Sequence, residues 1–161
     1  MQRMSRPSSE VSLQRVRVPL DDFVVLTDDH VLCATLHGSL AICLYDAVEE
    51  SGAMLHLRVV ATVRRGLDVS DEVLAADLML LDRCITALRQ TMPQARHGQG
   101  KLFAHCGADG SLQPAASASL EFIKHYLKDV GVMVVQEELS SGRALELQFR
   151  PTMGQARWTG V

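Results

Sequence analysis

Two apolar runs in the first half of the chain, Leu40 to Tyr45 and Met54 to Val63, limit most strongly the folds that it can adopt. The first run is continuously apolar and the second is mostly so, and neither is long enough to favour an amphipathic helix. Runs of this length suit β-strands that are buried on both faces. We therefore predict that these segments form interior strands.

Two later segments repeat apolar residues with the period of an α-helix. In the first, Ser70 resembles an N-cap before acidic residues, and apolar residues recur to about Met92, directly before Pro93. The second spans residues 117–130 and precedes Gly131, which occupies the position of a left-handed C-terminal cap. These patterns predict two amphipathic helices.

Short β-branched or apolar runs separated by turn residues indicate further strands. They are Val16–Val18, Phe23–Leu26, Val31–Thr35, Leu102–Ala104, Val132–Val135 and Leu145–Phe149. The last two would be joined through residues 140–143, and the glycine-rich residues 94–114 would be mostly loop. We expect Met54, Met79 and Met133 to fill gaps in the core, and Trp158 to cover a sheet edge. Two helices among about eight strands predict an α+β domain.

The length of 161 residues fits one domain. Residues 1–12 are polar and lack a periodic apolar face, so we expect a flexible N-terminal arm followed by a single domain over residues 13–161. No apolar run approaches the length of about 18 residues that a membrane span requires, and the N-terminal segment has no secretory hydrophobic core. We expect a cytoplasmic protein without membrane insertion.

The charge of the chain disfavours nucleic acid as a partner. Lys and Arg number 16 against 19 Asp and Glu, which gives a net charge of -3, and the basic residues are scattered along the sequence. An electrostatic footprint for phosphate backbones is therefore absent from the sequence.

Cysteine and histidine spacing predicts neither disulfides nor a metal site. The four cysteines, which are Cys33, Cys43, Cys84 and Cys106, include no C-x-x-C pair, and the six histidines show no ligand-like spacing. We expect Cys43 and Cys84 to be packing residues, and His97 and His105 to be solvated loop residues. The sequence therefore implies no cofactor.

Two motifs place a hydroxyl and an imidazole 17 positions apart on two predicted neighbouring strands. They are T-L-H-G-S-L-A-I-C-L-Y-D from Thr35 and G-A-M-L-H from Gly52. They resemble the active-site motifs T-L-G-S-C-V-A-V-C-L-Y-D and G-G-M-x-H of the CheD family of chemoreceptor glutamine deamidases. The segment H-Y-L-K-D-V-G-V from His125 resembles a later family motif, and the resemblance covers about residues 23–155.

This resemblance implies a three-layer α/β/β sandwich and a site that hydrolyses glutamine side-chain amides. In a gap-free alignment the family's nucleophilic cysteine falls on Ser39 and its histidine on His56. A family threonine falls on Cys33, which makes that thiol a candidate displaced nucleophile. A second register would put Leu40 at the cysteine position, but it needs a gap in a strand, which would turn the later side chains to the opposite face.

A serine nucleophile has stricter requirements than a cysteine. Its hydroxyl stays protonated at neutral pH, so Ser39 needs His56 to remove its proton during attack, usually with a third group that fixes the imidazole tautomer. No residue near either motif is identified as that third group by the sequence.

Three interpretations of function remain open. The chain could be a CheD-like deamidase of chemoreceptor cytoplasmic helices with a degenerate Ser39/His56 site. It could instead be an inactive CheD-like adaptor that binds chemoreceptors or a CheC-type phosphatase, a partner implied by the resemblance. The third class, an unrelated amidase or a structural domain, would be favoured if Ser39 and His56 lay far apart.

Overall fold

The computed structural model describes residues 13–46, 48–58, 69–91, 98–107 and 114–161. The predicted arm, the end of the second apolar run and His97 lie outside these ranges. The elements are β1 (Arg15–Arg17), β2 (Asp22–Leu26), β3 (Val31–Leu36), β4 (Leu40–Asp46), β5 (Ser51–Leu57), α1 (Val69–Thr91), β6 (Gly98–His105), α2 (Pro114–Asp129), β7 (Met133–Ser140), β8 (Leu145–Arg150) and β9 (Gln155–Gly160). A short 3-10 turn, Pro151–Met153, joins β8 to β9.

The strands form two sheets that pack face to face. The central sheet has the order β2-β5-β4-β6-β7, and the outer sheet has the order β1-β3-β8-β9. Pairing in the central sheet is antiparallel except between β6 and β7, which are parallel. Both helices pack against the central sheet on the face opposite the outer sheet. The predicted three-layer α/β/β sandwich is confirmed.

The alternation of side chains along β4 explains why this strand is apolar throughout. Leu40, Ile42 and Leu44 pack against the helices, whereas the three residues that alternate with them face the outer sheet. Those residues are Ala41, Cys43 and Tyr45. Every residue of β4 and β5 is buried, as predicted for interior strands. β5 begins earlier than the predicted Met54 and ends at Leu57, and Arg58 is exposed.

Strand β6 is the largest departure from the prediction for residues 94–114. It is an eight-residue strand between β4 and β7, whereas the sequence indicated only a short strand within loop. Gly100 serves packing here, because an added Cβ would lie 3.1 Å from Val132 Cγ1. A glycine that allows close packing cannot be distinguished locally from a glycine that marks a turn.

The C-terminal strands also differ from the sequence pattern. β7 and β8 lie in different sheets, so the turn between them leads the chain from one sheet to the other and does not close a hairpin. β9 was not predicted, and all of its residues except Ala156 are exposed. Trp158 lies on this edge strand, 5.3 Å from Phe103 of β6 between ring centroids, and is 39% exposed.

The helices agree with the prediction except at their first residues. α1 begins at Val69, so Ser70 lies within the helix and does not precede it as a cap. α2 ends at Asp129, and Gly131 has the predicted left-handed conformation with φ +87°. Within the ranges given above, neither helix is long and apolar enough to cross a membrane.

The methionine prediction holds for one residue of three. Met54 is fully buried between the sheets, but Met79 and Met133 are about two-thirds exposed on α1 and β7. Helical and strand periodicity do not reveal which positions a neighbouring element leaves uncovered.

Candidate active site

Ser39 and His56 meet at one end of the central sheet. Ser39 directly precedes β4, and His56 lies near the end of β5, where it pairs with Ala41 of β4. This antiparallel pairing brings together residues that are 17 positions apart. Ser39 Oγ lies 2.8 Å from His56 Nε2, and the two residues are only 5% and 6% exposed. The two residues predicted as partners are therefore joined by a direct hydrogen bond.

A backbone carbonyl contacts the other imidazole nitrogen. His56 Nδ1 lies 3.3 Å from the carbonyl oxygen of Val18, which follows β1 and is buried. A carbonyl only accepts hydrogen bonds, so Nδ1 carries the proton and Nε2 of the neutral ring accepts from the Ser39 hydroxyl. The third group is thus a main-chain atom, which no side-chain motif in the sequence could identify.

The position of that carbonyl depends on the neighbouring strands. Val18 N–H donates to the Cys33 carbonyl at 2.8 Å, which ties the residue to β3 of the outer sheet. On the other side, Asp21 N–H donates to the His56 carbonyl at 2.7 Å. The segment between β1 and β2 therefore positions His56 through its main chain.

The surroundings of His56 favour its neutral form. Burial lowers its pKa below the usual 6.5, and this effect outweighs the hydrogen bond to Val18 and the negative charge of Asp21, which both raise the pKa. A neutral imidazole with a free Nε2 lone pair can accept the Ser39 proton. The arrangement therefore suits general-base activation of the hydroxyl.

A buried histidine holds the turn that carries Ser39. His105 Nδ1 accepts from Gly38 N–H at 3.0 Å, and His105 N–H donates to the Ser39 carbonyl at 2.9 Å. Gly38 has φ +70°, a conformation that favours glycine. His105 is fully buried, so its prediction as a solvated loop residue was wrong. The glycine-rich surroundings concealed that it ends a central strand.

Cys33 is not brought to the Ser39/His56 pair. Its neighbours Leu32 and Ala34 face the central sheet, so strand alternation points the Cys33 side chain to the outer face, where it pairs with Gln148. Burial raises the pKa of its thiol, and the charge of Glu146 adds to this effect. The placement and the disfavoured thiolate both argue against Cys33 as a displaced nucleophile.

Leu40 has the environment of a core residue. It is fully buried among side chains on the helix side of the central sheet. The preceding residue, Ser39, contacts His56. The alignment without a gap, which puts Ser39 and not Leu40 at the family's cysteine position, is therefore the one that places a side chain beside the imidazole. Among the residues that the structure describes, no cluster of three or more His, Cys, Asp or Glu could hold a metal ion.

Curated proteins similar to this chain share one description. This chain is 24% identical to the probable chemoreceptor glutamine deamidase CheD of Sinorhizobium medicae, over 93% of its own length and 82% of that protein. It is 25% identical to the probable chemoreceptor glutamine deamidase CheD 1 of Ruegeria sp., over 91% of this chain and 76% of that protein. The corresponding protein of Rhizobium meliloti is 22% identical over 93% and 82% of the two chains. The chain is similar to CheD proteins over nearly its whole length.

The CheD similarity is spread over the domain. It extends over more than nine-tenths of the chain in each relative, so it is not limited to the two motifs around Ser39 and His56. No family model matches the chain. The similarity to CheD proteins therefore rests on these curated relatives alone.

Proposed function

We propose that this chain is a member of the CheD family and acts in chemotaxis as a chemoreceptor glutamine deamidase, with Ser39 as nucleophile and His56 as general base. The observation that carries the proposal is the hydrogen bond between Ser39 Oγ and His56 Nε2, in a ring whose other nitrogen is held by the Val18 carbonyl. The same two residues align with the catalytic positions of the family motifs. The substrate class comes from the names of the relatives.

The reaction follows from the proton positions in the site. Ser39 Oγ attacks the side-chain amide carbon of a glutamine while its proton passes to His56 Nε2. Nε2 then returns that proton to the departing nitrogen, the carbon–nitrogen bond breaks, and ammonia leaves an ester on Ser39. A water molecule then attacks the ester carbon while Nε2 takes its proton. The bond from that carbon to Ser39 Oγ breaks, Nε2 returns the proton to Oγ, and the side chain leaves as glutamate.

The tautomer of His56 supports this sequence of steps. His56 forms an imidazolium twice in the cycle, and the Val18 carbonyl can accept from its Nδ1–H each time. A carbonyl stabilises this cation less than the carboxylate of a Ser-His-Asp triad does. We therefore expect slower acylation than in an enzyme with a complete triad.

The proposed substrate lies on the cytoplasmic helices of a chemoreceptor. Conversion of a glutamine to glutamate there adds one negative charge to a helical bundle and changes the pairing between neighbouring side chains. A chain that acts on these helices works in the cytoplasm.

The second candidate function is an inactive adaptor on the same receptors or on a CheC-type phosphatase. The specific observation that favours it is the hydroxyl at the position of the family's cysteine, because serine is the harder nucleophile to activate at neutral pH. Such a chain would keep the contact with its partner and lose the hydrolysis.

Peptide mass spectrometry separates the two functions. We would incubate the purified chain with a chemoreceptor cytoplasmic fragment and measure conversion of glutamine to glutamate, alongside the Ser39→Ala, Ser39→Cys and His56→Gln variants. The deamidase proposal expects conversion by the unsubstituted chain, its loss in Ser39→Ala, and a fall of about 10²- to 10⁴-fold in His56→Gln.

Ser51→Ala is the matched control for serine removal. Ser51 is a buried serine of β5, and its hydroxyl donates to the Glu49 carbonyl, outside the proposed site. Conversion should be unchanged in this variant. No conversion by the unsubstituted chain with activity in Ser39→Cys would support the adaptor, and full activity in Ser39→Ala would refute Ser39 as nucleophile.

A further inference from the structure

We infer that His105 is a positioning residue that holds Ser39 in line with His56. The inference deepens the proposed function and depends on Ser39 as the reacting group. His105 does not contact the reacting atoms in this arrangement, because it acts on the main chain that carries Ser39.

The ring and the main chain of His105 each form a hydrogen bond with the turn that carries Ser39. Its ring Nδ1 accepts from Gly38 N–H, and its own N–H donates to the Ser39 carbonyl, so two successive residues before β4 are fixed by one residue of β6. Nδ1 also accepts from Gly107 N–H at 3.0 Å, which joins the turn before β4 to the turn after β6.

The remaining ring nitrogen fixes the orientation of the imidazole. His105 Nε2 lies 2.9 Å from the carbonyl oxygen of Arg143, in the connection between β7 and β8. Nδ1 has two N–H donors and Nε2 has a carbonyl acceptor, so the partners select the neutral tautomer with the proton on Nε2. A single ring therefore holds three connections at this end of the sandwich.

The surroundings make these hydrogen bonds hard to replace by water. His105 is fully buried, and the exposed ring of His37 stacks on it at 5.3 Å between centroids with an interplanar angle of 26°. Gly38 N–H would lose its ring acceptor if the imidazole were removed. Such a loss frees the turn, and a displacement of about 1 Å at a nucleophile can reduce the reaction rate by about 10²-fold.

Two conservative variants test the contributions of the two ring nitrogens separately. In His105→Asn the side-chain oxygen can occupy the Nδ1 position and accept from Gly38 N–H, but the side chain is too short to reach Arg143. In His105→Gln the longer amide can reach the Nε2 position and donate to the Arg143 carbonyl, without an acceptor at Nδ1. If His105 positions Ser39, the acceptor function is the one that matters.

The readout is the reactivity of a thiol introduced by Ser39→Cys. We would measure its alkylation rate with iodoacetamide by peptide mass spectrometry at position 39, which excludes signal from the native cysteines. This rate reports whether the side chain lies beside His56, and it requires no receptor and no native hydrolase activity. The His105 variants would be made in the Ser39→Cys background, with thermal unfolding measured for each.

We expect His105→Asn to keep the alkylation rate within about 3-fold and His105→Gln to lower it by about 10- to 100-fold, at similar unfolding midpoints. His125→Ala, at an exposed histidine of α2, should change nothing. Equal rates in the Asn and Gln variants, whether both high or both low, would overturn the positioning role. A thiol that His56→Gln does not slow would instead refute the pairing with His56, and with it the proposed function.

Discussion

At the scale of single residues, the site depends on which nitrogen of an imidazole carries the proton. The Val18 carbonyl requires a proton on His56 Nδ1, and burial keeps the ring neutral, so Nε2 faces Ser39 with a lone pair. The identity of His56 does not determine this state. It arises from a carbonyl that lies 38 positions earlier in the chain.

The titration of His56 provides a direct test of this state. Its pKa should lie below 6.5, because burial disfavours the imidazolium, and it should fall further in Asp21→Asn, because the Asp21 charge raises it. NMR titration of the imidazole measures the pKa directly. Asp28→Asn is the control, and a His56 pKa above 6.5 would contradict the assigned environment.

The same shift has a consequence for stability. Between the unfolded pKa near 6.5 and the lower folded pKa, the unfolded chain binds the proton more readily than the folded chain. The contribution of neutral His56 to the free energy of unfolding is therefore complete above about pH 6.5 and is lost as the pH falls through this window. In the His56→Gln variant, the free energy of unfolding measured with denaturant should not show this fall with pH.

At the scale of elements, β4 and β5 approach each other so closely that one position excludes a side chain. A Cβ added at Gly52 would lie 2.1 Å from the Leu44 carbonyl oxygen and 3.0 Å from Tyr45 Cα. Both atoms belong to the backbone of the paired strand and cannot move aside. The first glycine of the G-A-M-L-H motif thus has a structural reason, which is the close pairing that also brings His56 to Ser39.

Gly52→Ala should therefore destabilise the domain by about 3 kcal/mol, at the upper end of the usual cost of overpacking. Urea unfolding gives the free energy of unfolding for this comparison. The matched control is Gly98→Ala in β6, where the nearest atom to an added Cβ is Val132 Cγ2 at 3.8 Å. A loss below 1 kcal/mol in Gly52→Ala would show that the strands can separate at this point.

At the scale of the whole molecule, the central sheet is shared by two cores. Helix side chains cover one face, and the outer sheet covers the other, with Phe149 fully buried in the second core. Because β4 contributes side chains to both, loss of either core exposes the same strand. We therefore expect the domain to unfold in one cooperative transition.

The single tryptophan makes this expectation measurable. Trp158 contacts Phe103, a residue of the second core, so its fluorescence reports on that core, whereas far-UV circular dichroism also reports on the helices. Both signals should have the same urea midpoint. Phe149→Ala should lower both midpoints, because it reduces the free energy of unfolding by about 3–5 kcal/mol. Phe122→Ala, at an exposed position, should have little effect. Separate midpoints would mean that the cores unfold independently.

The sequence by itself determined the features that depend on local chemistry. Apolar runs indicated β4 and β5, and the 3.6-residue period indicated α1 and α2. The resemblance of two short motifs to those of the CheD family identified Ser39 and His56 as partners. Each pattern follows from a short segment and its own burial, so no knowledge of distant residues is required.

Only the tertiary structure decided the features that depend on residues far apart in the chain. These are the position of β6 inside the sheet, the separation of β7 from β8, the outward direction of Cys33, and the roles of the Val18 carbonyl and of His105. A backbone carbonyl has no sequence signature, and a histidine beside glycines has the same local pattern whether it is solvated or buried. Packing between distant strands selects the conformation, and it therefore decides what these groups do.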